Sequence, residues 1–156
     1  MTFLSSPLLL TAVLICACLW IAVEDFRHKR IPDLASLPLI LIGLTLSGRA
    51  SGIPLADRLI GGGAGFLVLW AIGEVMFRLR GAEALGIGDA KLFGAAGAWL
   101  GWSALPAVLL IASIMGLAFA ASRPGPTQRE LAFGPWLAAG FVLNWLWLIW
   151  QSYQIA

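Results

Sequence analysis

Uncharged runs dominate the chain: residues 1–23, 34–48, 59–73, 92–122 and 131–156 contain no Asp, Glu, Lys or Arg, and the charges gather in short clusters between them. Lipid offers the backbone no hydrogen-bond partners, so a run crossing it must be a helix or part of a closed barrel. About 20 apolar residues make one helical crossing. The pattern predicts an all-α polytopic membrane protein with about six transmembrane helices, near residues 7–24, 33–48, 58–77, 90–101, 104–121 and 132–151. The long run 92–122 is divided because Gly101-Trp102-Ser103-Ala104-Leu105-Pro106 reads as a turn. The fourth helix is then short, roughly 18 Å at about 1.5 Å per residue, against about 30 Å of hydrocarbon. Its start should lie where water can reach it close to lipid.

Composition agrees with the pattern. Apolar residues make up 60% of the chain and charged residues 12%, about half the share usual in a soluble domain. Too few polar residues remain to cover a soluble core, so residues 1–156 read as a single transmembrane domain. Met1 to Leu10 holds no Lys or Arg, which argues against a cleaved signal peptide and for a permanent first span. With six spans and both termini outside, eight basic residues (Arg27, Lys29, Arg30, Arg78, Arg80, Lys91, Arg123 and Arg129) face the cytoplasm, leaving Arg49 and Arg58 outside. Five spans would weaken that bias, so the positive-inside rule favours six.

Weaker signals refine this picture. Trp145, Trp147 and Trp150 suggest an interfacial aromatic belt. The pairs Gly61/Gly65 and Gly97/Gly101 have the G-x-x-x-G spacing of close helix contacts. Cys16 and Cys18 form no zinc pattern and read as packing residues. A net charge of +2 gives no reason to expect nucleic acid.

Charges beside membrane helices are costly and need an account. Asp25 follows the first predicted span and Asp89 precedes the fourth, which puts both at the cytoplasmic face. Two carboxylates converging in a partly dry site do not both ionise easily. One stays protonated and the other charged, which supplies a general acid and a general base together. Glycines at 86 and 88, in Gly86-Ile87-Gly88-Asp89-Ala90-Lys91, would let an extended substrate lie close or permit backbone angles closed to other residues. Pro32, in Asp25-Phe26-Arg27-His28-Lys29-Arg30-Ile31-Pro32-Asp33, can start the second helix.

The motifs Gly-x-Gly-Asp-x-Lys at 86–91, Asp-x6-Pro-Asp at 25–33 and Phe133-Gly134-Pro135 at the last span resemble the type IV prepilin peptidases. These are G-x-G-D aspartic peptidases of bacterial inner membranes. The likeness extends through Glu83-Ala84-Leu85 and through residues 91–102, and so covers most of the chain. It implies that Asp25 and Asp89 are the catalytic aspartates. The implied substrate is a type IV prepilin or pseudopilin, cut at the cytoplasmic face after a short basic leader, with membrane lipid around the enzyme and no cofactor or metal. Longer members carry an added segment with paired C-x-x-C motifs and also methylate the new N-terminus. This sequence has neither feature, so the expectation is a short, stand-alone peptidase without methyltransferase activity.

Several other residues are candidates for shaping the site or binding substrate: Gly86, Gly88, Pro32, Phe133, Gly134 and Pro135 from the motifs, with Glu24, Glu83, Lys91 and Asp33. Glu24 and Glu83 could tune the pair or meet a basic leader. Lys91 could hold Asp89 ionised or reach the interface, and Asp33 is expected to cap the second helix. Glu74 and Arg78 have the spacing of a helical ion pair. The alternative to a peptidase is a small transporter or channel subunit using the same acids for cations or protons. Transporter acids often lie at mid-membrane in interrupted helices, whereas these two fall at one face. An inactive subunit of a secretion or pilus complex, and a presenilin-like protease, fit the motifs less well.

Overall fold

The computed structural model describes residues 6–80, 86–122 and 132–155. Seven α-helices follow one another: α1 (Pro7–His28), α2 (Asp33–Ile42), α3 (Gly48–Ser51), α4 (Leu55–Arg80), α5 (Ile87–Leu100), α6 (Leu105–Ala121) and α7 (Gly134–Ile155). Among the described residues there is no strand. A π-helical turn, Gly43–Ser47, joins α2 to α3, so that Asp33–Ser51 forms one rod. The protein is an all-α membrane protein. Among the described residues, four helices are long and apolar enough to cross a bilayer: Pro7–His28, Asp33–Ser51, Leu55–Leu79 and Trp102–Ala121. The other two predicted spans are also helical, but α5 has only 14 residues, and the 22-residue α7 carries Asn144 and Gln151 among its apolar side chains.

The break within residues 92–122 falls where the sequence places it. Gly101 has φ of 75°, a backbone state that favours glycine, and Trp102–Ala104 forms a short 3-10 turn before α6. Consecutive long helices run antiparallel. At one end Asp25 of α1 meets Gly134 of α7, and Asp33 meets Lys91 of α5. At the other, Thr11 of α1 accepts a hydrogen bond from the Trp145 indole of α7.

The shortest helix is the most enclosed. In α5, Ala90 and every residue from Leu92 to Leu100 are buried. A helix apolar on all sides belongs inside a bundle. Because α4, α2 and α7 pack around it, α5 does not have to match the bilayer thickness. The predicted glycine contacts account for its closest neighbour. A Cβ on Gly97 would lie 2.0 Å from the Gly61 carbonyl oxygen, and one on Gly65 would lie 2.7 Å from that of Phe93. Only residues without side chains permit backbones this close.

Aromatic packing fills the centre. The Trp99 indole donates to the Leu39 carbonyl at 2.7 Å, and its ring meets Phe141 and Trp145 edge-on at 6.0 and 4.9 Å. Trp145 therefore does not belong to an interfacial belt. It shares the inward face of α7 with Phe141 and Ile149, at four-residue spacing, while Trp147 and Trp150 face outward. Arg58 is also buried. Its guanidinium donates to the carbonyls of Gly43, Leu44 and Ile53 at 2.9 to 3.1 Å. Gly43 and Leu44 lie in the π turn, so the Arg58 side chain ties that turn to the start of α4.

Candidate active site

Asp25 lies in the last turn of α1, which continues past the predicted boundary to His28 before Lys29 ends it in a left-handed conformation. The carboxylate faces inward and is buried. Its Oδ2 accepts the backbone N–H of Gly134, the first residue of α7, at 3.1 Å. That N–H belongs to the unpaired set at a helix N-terminus, where the helix dipole also favours negative charge. Glycine is needed here for space: a Cβ at 134 would sit 2.7 Å from Asp25 Oδ2. Pro135 occupies the next position, where a missing N–H costs the helix nothing. The Phe133 carbonyl receives the N–H groups of Trp136 and Leu137, both at 3.1 Å. Phe133-Gly134-Pro135 is thus a helix start fitted to hold a carboxylate.

Asp89 lies in the first turn of α5 and is partly exposed. Its Oδ2 accepts the Gly86 N–H at 3.3 Å, and its own N–H donates to the Gly86 carbonyl at 3.1 Å. Oδ1 is buried without a hydrogen-bond partner among the described residues. An acceptor in that condition is costly unless something donates to it. Gly88, beside Asp89, and Gly134, which holds Asp25, both lie against Ile31, so the fold brings the two aspartate-bearing motifs together although 63 residues lie between Asp25 and Asp89 in sequence.

Gly86 and Gly88 do their work differently from the conformational reading. Gly86 caps α5 in an extended conformation with φ of −76°. Among the described residues, the only glycines with positive φ are Gly52 and Gly101. Gly88 is required by contact, because a Cβ there would lie 2.8 Å from the Ile31 Cβ. The other candidates distribute as follows. Lys91 Nζ pairs with Asp33 Oδ1 at 2.5 Å, linking the starts of α5 and α2. Asp33 is the first residue of α2 rather than its cap; Pro32 holds the cap position, its carbonyl receiving the N–H groups of Ala35 and Ser36. Glu24 pairs with His28 at 2.9 Å, and Glu74 with Arg78 at 2.8 Å as its spacing predicts. Glu83 lies outside the described residues.

Sequence reasoning gave no role to Ile31, which the fold places against Gly88 and Gly134 together. The signal was two motif glycines facing an apolar residue, and it is legible only once the motifs are known to meet. A cavity of about 270 Å³ opens beside the start of α5, lined by Leu69, Trp70, Gly73, Glu74 and Phe77 of α4 with Gly86 and Ile87. It adjoins the glycine that hydrogen-bonds Asp89.

Comparison with known proteins bears on this arrangement. A family model described as the type IV leader peptidase family matches residues 12–121. The chain is 42% identical over 141 residues to the prepilin leader peptidase/N-methyltransferase of Escherichia coli K12, covering 88% of this chain and 63% of that protein. It is 42% identical over 147 residues to the protein of that name in Dickeya chrysanthemi, covering 88% and 52%. The counterpart in Burkholderia pseudomallei is 43% identical over 136 residues, covering 84% and 44%. The chain therefore spans between 44% and 63% of the length of these relatives. No solved structure matches it.

Proposed function

Because the chain belongs to the type IV leader peptidase family, we propose that it is an aspartic endopeptidase that removes the short basic leader of prepilins or pseudopilins. The observation that carries this reading is that Asp25 and Asp89 are each held by the N–H of a motif glycine at a helix start, with Gly134 and Gly88 both lying against Ile31. One carboxylate, ionised, takes a proton from a water molecule, and the water oxygen bonds to the carbonyl carbon of the scissile peptide. The other, protonated, donates to the developing oxyanion. Collapse of the tetrahedral intermediate then breaks the C–N bond, with a proton passed to the leaving amine. The N–H groups of Gly134 and Gly86 hold the two carboxyl groups in place throughout. The cavity between α4 and Gly86 offers room for apolar residues of the substrate beside the extended glycine.

The bacterial inner membrane is the proposed location, with six crossings, both termini in the periplasm and the aspartate pair at the cytoplasmic face. The bias of basic residues supports that orientation. Of the two activities in the relatives' name, the aspartate pair serves only cleavage, and we propose cleavage alone. Co-expression with a prepilin, followed by mass spectrometry of the pilin N-terminus, tests the proposal. Loss of the leader with this chain, and not with an empty vector, is the expected result. An added 14 Da on the new N-terminus would overturn the exclusion of methyl transfer, and an intact leader would overturn the peptidase.

A further inference from the structure

Between α1 and α2 runs a short connection whose only large apolar side chain is Ile31. It is partly buried and packs against the core. Two motif glycines meet this side chain from different helices. From the position a Cβ would take on Gly88, Ile31 Cβ, Cγ1 and Cδ1 lie at 2.8, 3.3 and 3.5 Å. From the corresponding position on Gly134, Ile31 Cδ1 lies at 3.1 Å and Asp25 Oδ2 at 2.7 Å. Gly88 directly precedes Asp89 in the chain, and Gly134 donates the hydrogen bond that holds Asp25. One isoleucine therefore separates the backbone carrying one carboxylate from the backbone anchoring the other.

We infer that Ile31 is a positioning residue that sets the spacing of the two aspartates by acting as a spacer between the starts of α5 and α7. This inference rests on the peptidase reading above and deepens it. Isoleucine suits the task because its branched Cβ restricts rotation, so its bulk stays where the backbone puts it. Neither glycine can gain a methyl group without pushing on this side chain. A smaller residue at 31 would leave both helix starts free to move, and the displacement would reach the carboxyl groups at the next contact. Misplacement of reacting groups by a fraction of an ångström to an ångström lowers turnover strongly. Substrate binding along the rest of the enzyme would change little, so the loss should appear in kcat rather than in KM.

A double-mutant cycle on the full-length protein in liposomes tests the assignment, with cleavage of a purified prepilin followed at several substrate concentrations and thermal melting recorded for each variant. Ile31→Ala and Ile31→Phe are each expected to lower kcat about 10-fold or more with KM within about 3-fold, whereas Ile31→Val should stay close to the unaltered protein. Gly88→Ala should lower kcat further, because its methyl group strikes the isoleucine. Gly88→Ala combined with Ile31→Ala should recover at least about 10-fold over Gly88→Ala alone, the mark of two residues sharing one contact. Losses that simply multiply in the double variant, or an unchanged kcat in both Ile31→Ala and Ile31→Phe, overturn the inference while leaving the peptidase reading intact. If Gly88→Ala does not fold, the Ala, Phe and Val series at 31 decides alone. No cleavage by the unaltered protein overturns the peptidase reading, and the inference falls with it.

Discussion

Replacing Gly134 by alanine adds one methyl group at the point where α7 meets the Asp25 carboxylate. The new Cβ would lie 2.7 Å from Asp25 Oδ2 and 3.1 Å from Ile31 Cδ1. Close C···O contacts settle at about 3.3 Å or more, so the carboxylate or the helix start must give by roughly 0.6 Å. Movement of that size stretches the 3.1 Å bond from the Gly134 N–H. Hydrogen bonds to charged groups contribute about 1.5–3 kcal/mol, and each 1.36 kcal/mol withheld from the transition state is tenfold in rate. The expected result is a fall of about 10- to 100-fold in kcat/KM for prepilin cleavage, measured on membranes with matched amounts of folded enzyme. Gly63→Ala is the control: nothing lies within 4 Å of its added Cβ, and alanine favours a helix interior over glycine by about 0.5–1 kcal/mol. The control should cleave normally. If Gly134→Ala cleaves within threefold of the unaltered protein, Gly134 does not hold the carboxylate in the way described.

Three further expectations follow from the same structure. Gly97→Ala would place a Cβ 2.0 Å from the Gly61 carbonyl oxygen; since backbone cannot swing aside, destabilisation of about 1–3 kcal/mol or more is expected as a lowered melting temperature in detergent, and an unchanged melt would refute the close α4–α5 packing. Lys91→Met removes the solvent-accessible pair with Asp33, an interaction of a type worth about 0–1 kcal/mol, so cleavage should stay within about threefold; a loss as large as that from an aspartate substitution would place Lys91 in the chemistry. The pH dependence of kcat/KM should be bell-shaped: activity falls at low pH as the base is protonated and at high pH as the acid loses its proton. A profile that stays flat through both limbs would contradict a shared acid–base pair.

The helices were legible because charge is expensive in lipid, so gaps in the charge pattern mark them directly. The glycine spacings at 61/65 and 97/101 marked surfaces suited to close helix contact, but only the fold shows that Gly61 and Gly65 of α4 meet Gly97 and Phe93 of α5. Side-chain direction was harder to read. Trp145 and Trp147 look alike along the chain, and only the four-residue register with Phe141 and Ile149 turns one of them inward. Arg58 is indistinguishable in sequence from a solvated arginine, because the Gly43 and Leu44 carbonyls it caps come beside it only in the fold. At the site, the two aspartates stand out by their motifs. Their supports do not, since the Gly134 N–H and the Ile31 side chain act across 109 and 57 residues of chain, respectively, on groups that only the fold brings near.

The central claim is that two carboxyl groups together cut a peptide bond, and removing them one at a time tests it most directly. Purified enzyme in liposomes would be compared with Asp25→Asn and Asp89→Asn, near-isosteric changes that keep the bulk at each position and remove the ionisable group. Turnover of a purified prepilin would be read from the mass of the new pilin N-terminus. The account predicts cleavage by the unaltered protein and loss of at least about a thousandfold in each variant, with melting temperatures preserved. Cleavage by either variant within tenfold of the unaltered protein would contradict the two-aspartate mechanism.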